Sequence, residues 1–151
     1  MAEPPRWAAP ATMVSAAVGL GVSVYLTVEH FTASTTLACP ETGVVNCQKV
    51  TTSEQSIVLG VPMALYGVVF FLAMLLLSVP AAWRVPALRW PRVALAGAGA
   101  VSVIYLVWVE LFAVNAICLW CTVAHVAALA LLAIVGFATA EAPADAPARS
   151  H

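Results

Sequence analysis

Long apolar runs alternate with polar segments along this chain. Four of the runs extend for about 20 residues with few charges, which is the length that a helix needs to cross the hydrocarbon core of a bilayer. The pattern predicts helices over residues 11–30, 58–79, 93–114 and 117–138. We therefore expect an all-α integral membrane protein, a four-transmembrane-helix bundle.

The composition agrees with lipid as the solvent. Hydrophobic residues make up 63% of the chain and charged residues 9%, whereas a soluble domain has about 25% charged residues. So few charges do not cover a water-exposed surface. The charges also form no basic patch, so we expect no nucleic acid partner.

The positive charges indicate an orientation in the membrane, because Lys and Arg accumulate on the cytoplasmic side. In a four-helix arrangement Lys49 falls on one side and all the other positive charges fall on the opposite side. These are Arg6, Arg84, Arg89, Arg92 and Arg149. We expect both termini in the cytoplasm, with an N-terminal cytoplasmic segment at 1–10, a membrane domain at 11–138 and a disordered cytoplasmic tail at 139–151.

The polar segment 31–57 and a tight turn around Asn115 then lie on the outer side of the membrane. They carry the four cysteines in two pairs: Cys39 and Cys47, spaced C-x7-C, and Cys118 and Cys121, spaced C-x2-C. All four are expected at the extracytoplasmic face of a bacterial inner membrane. That compartment is oxidising, so disulfides persist there.

The Cys118–Cys121 pair opens the fourth predicted helix. C-x-x-C on a helix places both sulfurs on one face, close enough to bridge, and a helix N-terminus favours the reactive thiolate. One alternative is that these thiols only pack as small apolar side chains. Another is half of a metal site completed by Cys39 and Cys47, but their spacing is not a usual zinc pattern. We expect redox chemistry and no bound metal.

The Cys39–Cys47 pair has two interpretations. A disulfide here staples the outer loop and stabilises it by about 2–3 kcal/mol, or the pair shuttles electrons to an outside partner. Beside a C-x-x-C pair within the bilayer the shuttle is favoured, because a buried pair does not meet a protein partner directly.

Ionisable residues inside the spans are functional candidates. His125, about two turns inside the fourth span, hydrogen-bonds a ligand or relays a proton, or else satisfies an interhelical hydrogen bond. Glu29 and Glu110 lie near the outer ends of their spans, where interface anchoring is the simpler reading. The aromatic residues Tyr105, Trp108 and Trp120 have two readings as well. They line an aromatic pocket, or they lie at the membrane interface or face the lipid.

Together these residues resemble the vitamin K epoxide reductase (VKOR) family. The resemblance rests on features in a fixed order: Cys39-x7-Cys47, Ser53 six residues later, and Cys118-x-x-Cys121 opening the fourth span. In addition, Leu59–Gly67 resembles the stretch that leads into the second span of bacterial members. The resemblance extends over roughly residues 10–138, nearly the whole length.

The resemblance implies four helices around a quinone (menaquinone or ubiquinone), covered by the outer loop with a short horizontal helix at Asn46–Glu54. It also implies a route for electrons, from a reduced partner to Cys39, through Cys47 to Cys118, and from Cys121 to the quinone. Ser53 is implied near the quinone ring, and His125 is the second candidate for the quinone pocket.

The sequence departs from the family pattern in two respects. Many bacterial members carry a fused thioredoxin-like domain that is not seen here, so we expect a separate thioredoxin-like partner. Vertebrate members have Tyr where this chain has His125, and a longer segment after Ser53, which favours quinone reduction over epoxide reduction.

We predict a membrane thiol–disulfide oxidoreductase that reduces a quinone, oxidises its partner and so supports disulfide formation outside the cytoplasm. The alternatives are a naphthoquinone (vitamin K) epoxide reductase and, outside the enzymes, a metal-handling membrane protein.

Overall fold

The computed structural model describes residues 5–32 and 38–141, and helices make up most of them. The long helices are α1 (Ala8–Thr32), α3 (Met63–Ser78), α5 (Arg89–Trp108), which continues as a π-helix over Val109–Val114, and α6 (Leu119–Glu141). The short elements are α2 (Cys47–Thr51), strands β1 (Ile57–Val58) and β2 (Val61–Pro62), α4 (Pro80–Trp83), and 3-10 turns at Glu54–Ser56 and Pro86–Leu88.

Three of these segments are long and apolar enough to cross a membrane: Ala8–Thr32, Pro86–Val114 and Leu119–Glu141. The remaining apolar helix, α3, has 16 residues and a length of about 24 Å at 1.5 Å per residue. The molecule is therefore a helical membrane bundle with three long apolar helices and one shorter one.

Residues 57–62 differ from the sequence prediction, which began the second helix at residue 58. They form an antiparallel hairpin in which Ile57 pairs with Pro62 and Val58 pairs with Val61. At the hairpin tip Leu59 and Gly60 have positive φ values of 52° and 78°. A two-residue hairpin turn of type I′ requires positive φ at both central residues. The hairpin adds a small sheet to the predicted all-α fold and delays the helix to Met63.

The ends of the other helices follow from local backbone chemistry. Val79 precedes Pro80 and has extended dihedrals, φ −59° and ψ 145°, because a residue before proline is pushed out of the helical region. The α5 segment ends where Asn115 adopts the left-handed conformation, a common helix terminator, and this confirms the predicted turn. Helix α6 runs to Glu141, beyond the predicted boundary at 138, and residues 142–151 lie outside the described part of the chain.

The long helices form an up-and-down bundle. Helix α1 packs against α3 and α6, and α5 packs mainly against α6. The end of α1, the start of α3, the end of the α5 segment and the start of α6 all line one cavity. The core beneath it is built from buried apolar side chains, with Phe71, Met74 and Leu131 among the largest.

Two arginines join the helix ends at the opposite end of the bundle. Arg92 was predicted in a loop, but it lies in the first turn of α5 and is 3% exposed. Its guanidinium donates to the carbonyls of Leu77 (3.0 Å) and Ala82 (3.1 Å), and Arg89 donates to the carbonyl of Thr139 (3.1 Å). These carbonyls lie near the C-terminal ends of helices, where the negative end of the helix dipole favours a cation.

The close packing of α1 against α3 depends on a missing side chain at Gly19. A Cβ atom there would collide with the ring of Phe71, whereas a Cβ at Gly21 would meet nothing within 4 Å. We expect Gly19→Ala to lower the free energy of unfolding by about 1–3 kcal/mol relative to Gly21→Ala, because overpacking a close contact forces neighbours to shift. Thermal unfolding in detergent micelles measures the difference, and equal midpoints for the two variants would contradict it.

Candidate redox site

The four cysteines meet at the end of the bundle opposite the arginines. Cys39 and Cys47 form a disulfide with a Cα–Cα distance of 6.1 Å, while Cys118 and Cys121 are free thiols. Cys47 and Cys118 are fully buried in one apolar cluster, and Cys39 and Cys121 pack against it. The structure thus places all four predicted cysteines together.

Backbone pairing holds the outer loop against the start of α6. The N–H of Ile117 donates to the carbonyl of Val44 (2.9 Å), and the N–H of Asn46 donates to the carbonyl of Ile117 (3.1 Å). Val45 and Ile117 form a parallel bridge. The paired residues directly precede Cys47 and Cys118, so the pairing brings one cysteine of each pair side by side. It also explains why α6 starts later than the predicted residue 117.

The short helix α2 fixes the direction of Cys47. The Asn46 side chain accepts a 2.8 Å hydrogen bond from the N–H of Lys49, a common N-cap arrangement, so the helix begins at Cys47. The sequence prediction of one helix over Asn46–Glu54 is only partly correct, because α2 ends at Thr51 and a separate 3-10 turn begins at Glu54.

Cys118 caps the N-terminus of α6 with its sulfur. The N–H of Cys121 donates to the Cys118 Sγ atom at 3.1 Å, and the N–H of Thr122 donates to the Cys118 carbonyl at 2.9 Å. A side-chain hydrogen bond from Cys121, together with backbone N–H groups of the same turn, lowers the pKa of the Cys118 thiol despite its burial. Cys118, which directly precedes the helix, is therefore the better nucleophile of the pair.

Trp120 connects the C-x-x-C turn to the segment that leads into Cys39. Its indole N–H donates to the carbonyl of Ala38 (3.0 Å), and the N–H of Ala38 donates to the Tyr25 hydroxyl (3.1 Å). The Tyr25 and Trp120 rings also contact each other, with centroids 5.1 Å apart. Trp120 therefore has a structural role at the cysteine end, whereas Tyr105 and Trp108 are exposed on the outside of the bundle.

A cavity of about 320 Å³ lies between the helices, directly beneath the cysteines. Its lining is mostly apolar and includes the rings of Phe70 and Phe71. Among the predicted site residues it brings together Ser53, Cys121 and His125, whereas Cys39, Cys47 and Cys118 do not line it. The two thiols of the C-x-x-C pair therefore have different surroundings, since Cys118 packs towards Cys47 and Cys121 faces the cavity.

Polar side chains provide only a small part of the cavity surface. The Ser53 hydroxyl donates to the carbonyl of Val50 (2.8 Å), so it offers a ligand its lone pairs and not its proton. His125 is 8% exposed and lines the cavity one helical turn beyond Cys121. Gln55 also lines it, and its position in the polar outer loop gave no signal in the sequence.

Glu110 does not have the position that the simpler sequence reading gave it. That reading was an anchor at the membrane interface and the alternative was a functional residue, whereas the side chain is 5% exposed and lines the cavity. It lies in the π-helix, whose wide turn buries both Val109 and Glu110. π-Helical turns frequently occur at functional sites, but the apolar run around Glu110 contains nothing that predicts one.

The same residues do not assemble a metal centre within the part of the chain that the structure describes. No group of three or more His, Cys, Asp or Glu side chains is placed there to hold an ion. In addition, the disulfide occupies the sulfurs of Cys39 and Cys47, which the metal interpretation required as ligands.

A disulfide and a free dithiol in contact at one end of an apolar bundle define a membrane redox protein of the thiol–disulfide class. The chain belongs to the vitamin K epoxide reductase (VKOR) family, whose family model matches residues 10–136. A search of curated proteins found no match. Because the family match covers most of the chain, it supports the assignment of the protein as a membrane oxidoreductase.

The pKa of Cys118 is open to a direct test, because its largest cause is the hydrogen bond from the Cys121 side chain. We expect alkylation of Cys118 by a small uncharged reagent to require higher pH in Cys121→Ala than in Cys121→Ser, which keeps a hydroxyl donor. Mass spectrometry across a pH series measures the rates. Identical pH dependence in the two variants would show that the Cys121 side chain has no such effect.

Proposed function

We propose that this protein is a quinone-dependent thiol oxidoreductase, which oxidises a separate thioredoxin-like partner and reduces menaquinone or ubiquinone. The observation that carries the proposal is the division of the C-x-x-C pair. Cys118 belongs with Cys47 to the buried cluster, while Cys121 lines the apolar cavity. One thiol is thus placed for exchange with the loop pair, and the other for transfer to a ligand in the bundle.

The cavity suits the head group of a quinone. Its volume of about 320 Å³ lies at the lower end of the usual range for small-molecule sites, which are mostly apolar with a few polar groups. Phe70 and Phe71 provide apolar faces for a flat ring, and His125 provides a nitrogen for a carbonyl oxygen. Ser53 belongs to the polar edge of the site beneath the outer loop.

The loop pair and the C-x-x-C pair pass electrons by thiol–disulfide exchange, in which a thiolate attacks and a thiolate leaves at each step. The cycle starts with both pairs oxidised, Cys39–Cys47 and Cys118–Cys121. A partner thiolate attacks Cys39 and releases Cys47, which attacks Cys118, breaks the Cys118–Cys121 bond and frees Cys121. The second partner thiolate displaces Cys39 and leaves with a disulfide. Cys39 then attacks Cys47 and releases Cys118.

The resulting state has a Cys39–Cys47 disulfide and two free thiols, Cys118 and Cys121, which is the state described here. A bound quinone supplies the acceptor for two electrons and two protons. When Cys118 and Cys121 close to a disulfide, two S–H bonds break and one S–S bond forms. The net result is one disulfide in the partner and one quinol.

The proposal includes an orientation in a bacterial inner membrane. The cluster at Arg89 and Arg92 favours the cytoplasm for that end of the bundle, and the cysteine end then faces the oxidising side. In this arrangement all four long helices are spans, α3 included, and both termini are cytoplasmic. The membrane domain corresponds to residues 11–138, while the assignment of 139–151 to a tail falls mostly outside the described residues.

Replacing Cys121 tests the proposal in liposomes that contain menaquinone or ubiquinone, with a reduced thioredoxin-like protein as the electron donor. We expect wild-type protein to form one quinol for each partner disulfide. Cys121→Ala should lower quinol formation at least about 100-fold, because the remaining cysteines do not complete the transfer. In this variant the Cys118 thiolate should also attack the Cys39–Cys47 disulfide at Cys47 and release Cys39, and the resulting Cys47–Cys118 disulfide should accumulate because no Cys121 thiol is present to displace Cys47.

The matched control is a Cys39→Ala/Cys47→Ala variant with dithiothreitol as the donor, which reaches the C-x-x-C pair without the loop pair and should still form quinol. A parallel arm with naphthoquinone epoxide distinguishes epoxide reduction from quinone reduction. Unchanged quinol formation in Cys121→Ala would exclude the proposed mechanism.

The contact between the two pairs has its own test. Cys39→Ala/Cys121→Ala leaves Cys47 and Cys118, which we expect to form a disulfide under mild oxidation because the backbone pairing holds them together. Cys39→Ala/Cys118→Ala leaves the same number of thiols but retains Cys121, which faces the cavity, and should crosslink far less. Disulfide mapping by mass spectrometry decides, and equal crosslinking in both variants would contradict the geometry.

A further inference from the structure

Glu110 is a buried carboxyl group that the exchange steps do not use. It is 5% exposed in a segment long and apolar enough to span the membrane, where ionisable residues are costly and usually functional. It lines the cavity together with Cys121 and His125. A purely structural role does not explain why an ionisable side chain, and not an apolar one, occupies this position.

The fold aims this carboxyl group at the dithiol. The Glu110 carbonyl accepts the N–H of Ala116 at 3.0 Å across the turn that leads to the C-x-x-C pair, so its backbone is tied to the start of α6. The Glu110 carboxyl group lies near the backbone of Cys118. It also lies near both thiols, Cys118 and Cys121.

Oxidation of the dithiol creates a need for such a group. Two electrons and two protons leave the sulfurs, and a proton does not cross an apolar cavity without a group to carry it. Cys118 is fully buried, and the cavity lining is mostly apolar. Within the described residues, the ionisable groups that line the cavity beside Cys121 are Glu110, His125, His30 and Tyr66, and the Tyr66 hydroxyl donates to the carbonyl of Val58.

We propose that Glu110 is the proton-transfer residue of the Cys118–Cys121 dithiol, taking each thiol proton and passing it into the cavity. This rests on the proposed quinone reduction. The carboxylate takes the proton of Cys121 and gives it to one quinone oxygen, then takes the proton of Cys118 and gives it to the other. Two S–H bonds break, one S–S bond forms, the electron pair goes to the quinone, and both protons end on the quinol.

His125 has a different part in this arrangement. It lies four residues beyond Cys121 on α6, a rise of about 6 Å along the helix, and reaches the cavity deeper than the dithiol. That position suits an imidazole that orients a quinone oxygen. Glu110, on the neighbouring segment, acts at the sulfur end.

The first measurement needs no quinone. The fully reduced protein is oxidised by ferricyanide through a lipid-soluble ferrocene mediator, which removes electrons but takes no protons, while infrared difference spectra are recorded. We expect a protonated-carboxyl band to appear on oxidation in the wild type and in Glu54→Gln, whose acid is exposed and does not line the cavity. The band should be absent in Glu110→Gln.

The second measurement compares the two half-reactions in quinone-containing liposomes. Glu110→Gln keeps the size of the side chain and one acceptor oxygen but does not carry a proton. We expect its quinol formation to fall about 100-fold or more, which is typical for loss of a general acid–base group. Exchange between the loop pair and the C-x-x-C pair should stay within about twofold of wild type, and Glu110→Asp should retain more quinol formation than Gln.

Several results would overturn the assignment of Glu110: no carboxyl band in the wild type, a band that persists in Glu110→Gln, or wild-type quinol formation in that variant. Equal slowing of both half-reactions would mean a structural role, and would overturn it as well. If wild-type protein forms no quinol while the carboxyl band depends on Glu110, quinone reduction fails and proton uptake from the dithiol stands.

Discussion

The pairing between Val44–Asn46 and Ile117 is the constraint on which the redox site depends. Besides those backbone hydrogen bonds, the outer loop contacts the bundle through the packing of α2 in the cysteine cluster and through the contact of Ala38 with Tyr25 and Trp120. The pairing fixes which residues of the polar loop lie opposite Ile117. Because the bonds join backbone atoms next to Cys47 and Cys118, the relative position of these two cysteines does not depend on flexible side chains.

The sequence predicted that the four cysteines lie at one end of the bundle, and the start of the helix that carries Cys118 and Cys121 has a local signal. The spacing of Cys118 and Cys121 and the turn at Asn115 define a helix start regardless of the tertiary structure. Their burial in one cluster with Cys47 agrees with the predicted arrangement. The sequence also indicated that the arginines gather at the opposite end of the bundle. It did not indicate that Arg92 is buried against Trp83, where its guanidinium carbon lies 3.9 Å from the ring centroid.

Other features had no local signal. An apolar run does not distinguish the start of a helix from a short hairpin, so residues 57–62 were read as helix. The burial of Glu110 depends on a π-helical turn, and helical periodicity assumes a regular one. The register between Val45 and Ile117 joins segments 72 positions apart in the numbering, and β-branched residues in a loop do not specify a partner.

The shortness of α3 has a consequence for the surrounding lipid. In the proposed topology this helix of 16 residues falls about 6 Å short of a hydrocarbon core about 30 Å thick. Such a hydrophobic mismatch is relieved by local thinning of the bilayer or by flanking segments that extend into it. In that topology the protein is matched to a thinner bilayer beside α3 than beside α1 or α6, and the chain length of the lipids affects how well they fit this side of the bundle.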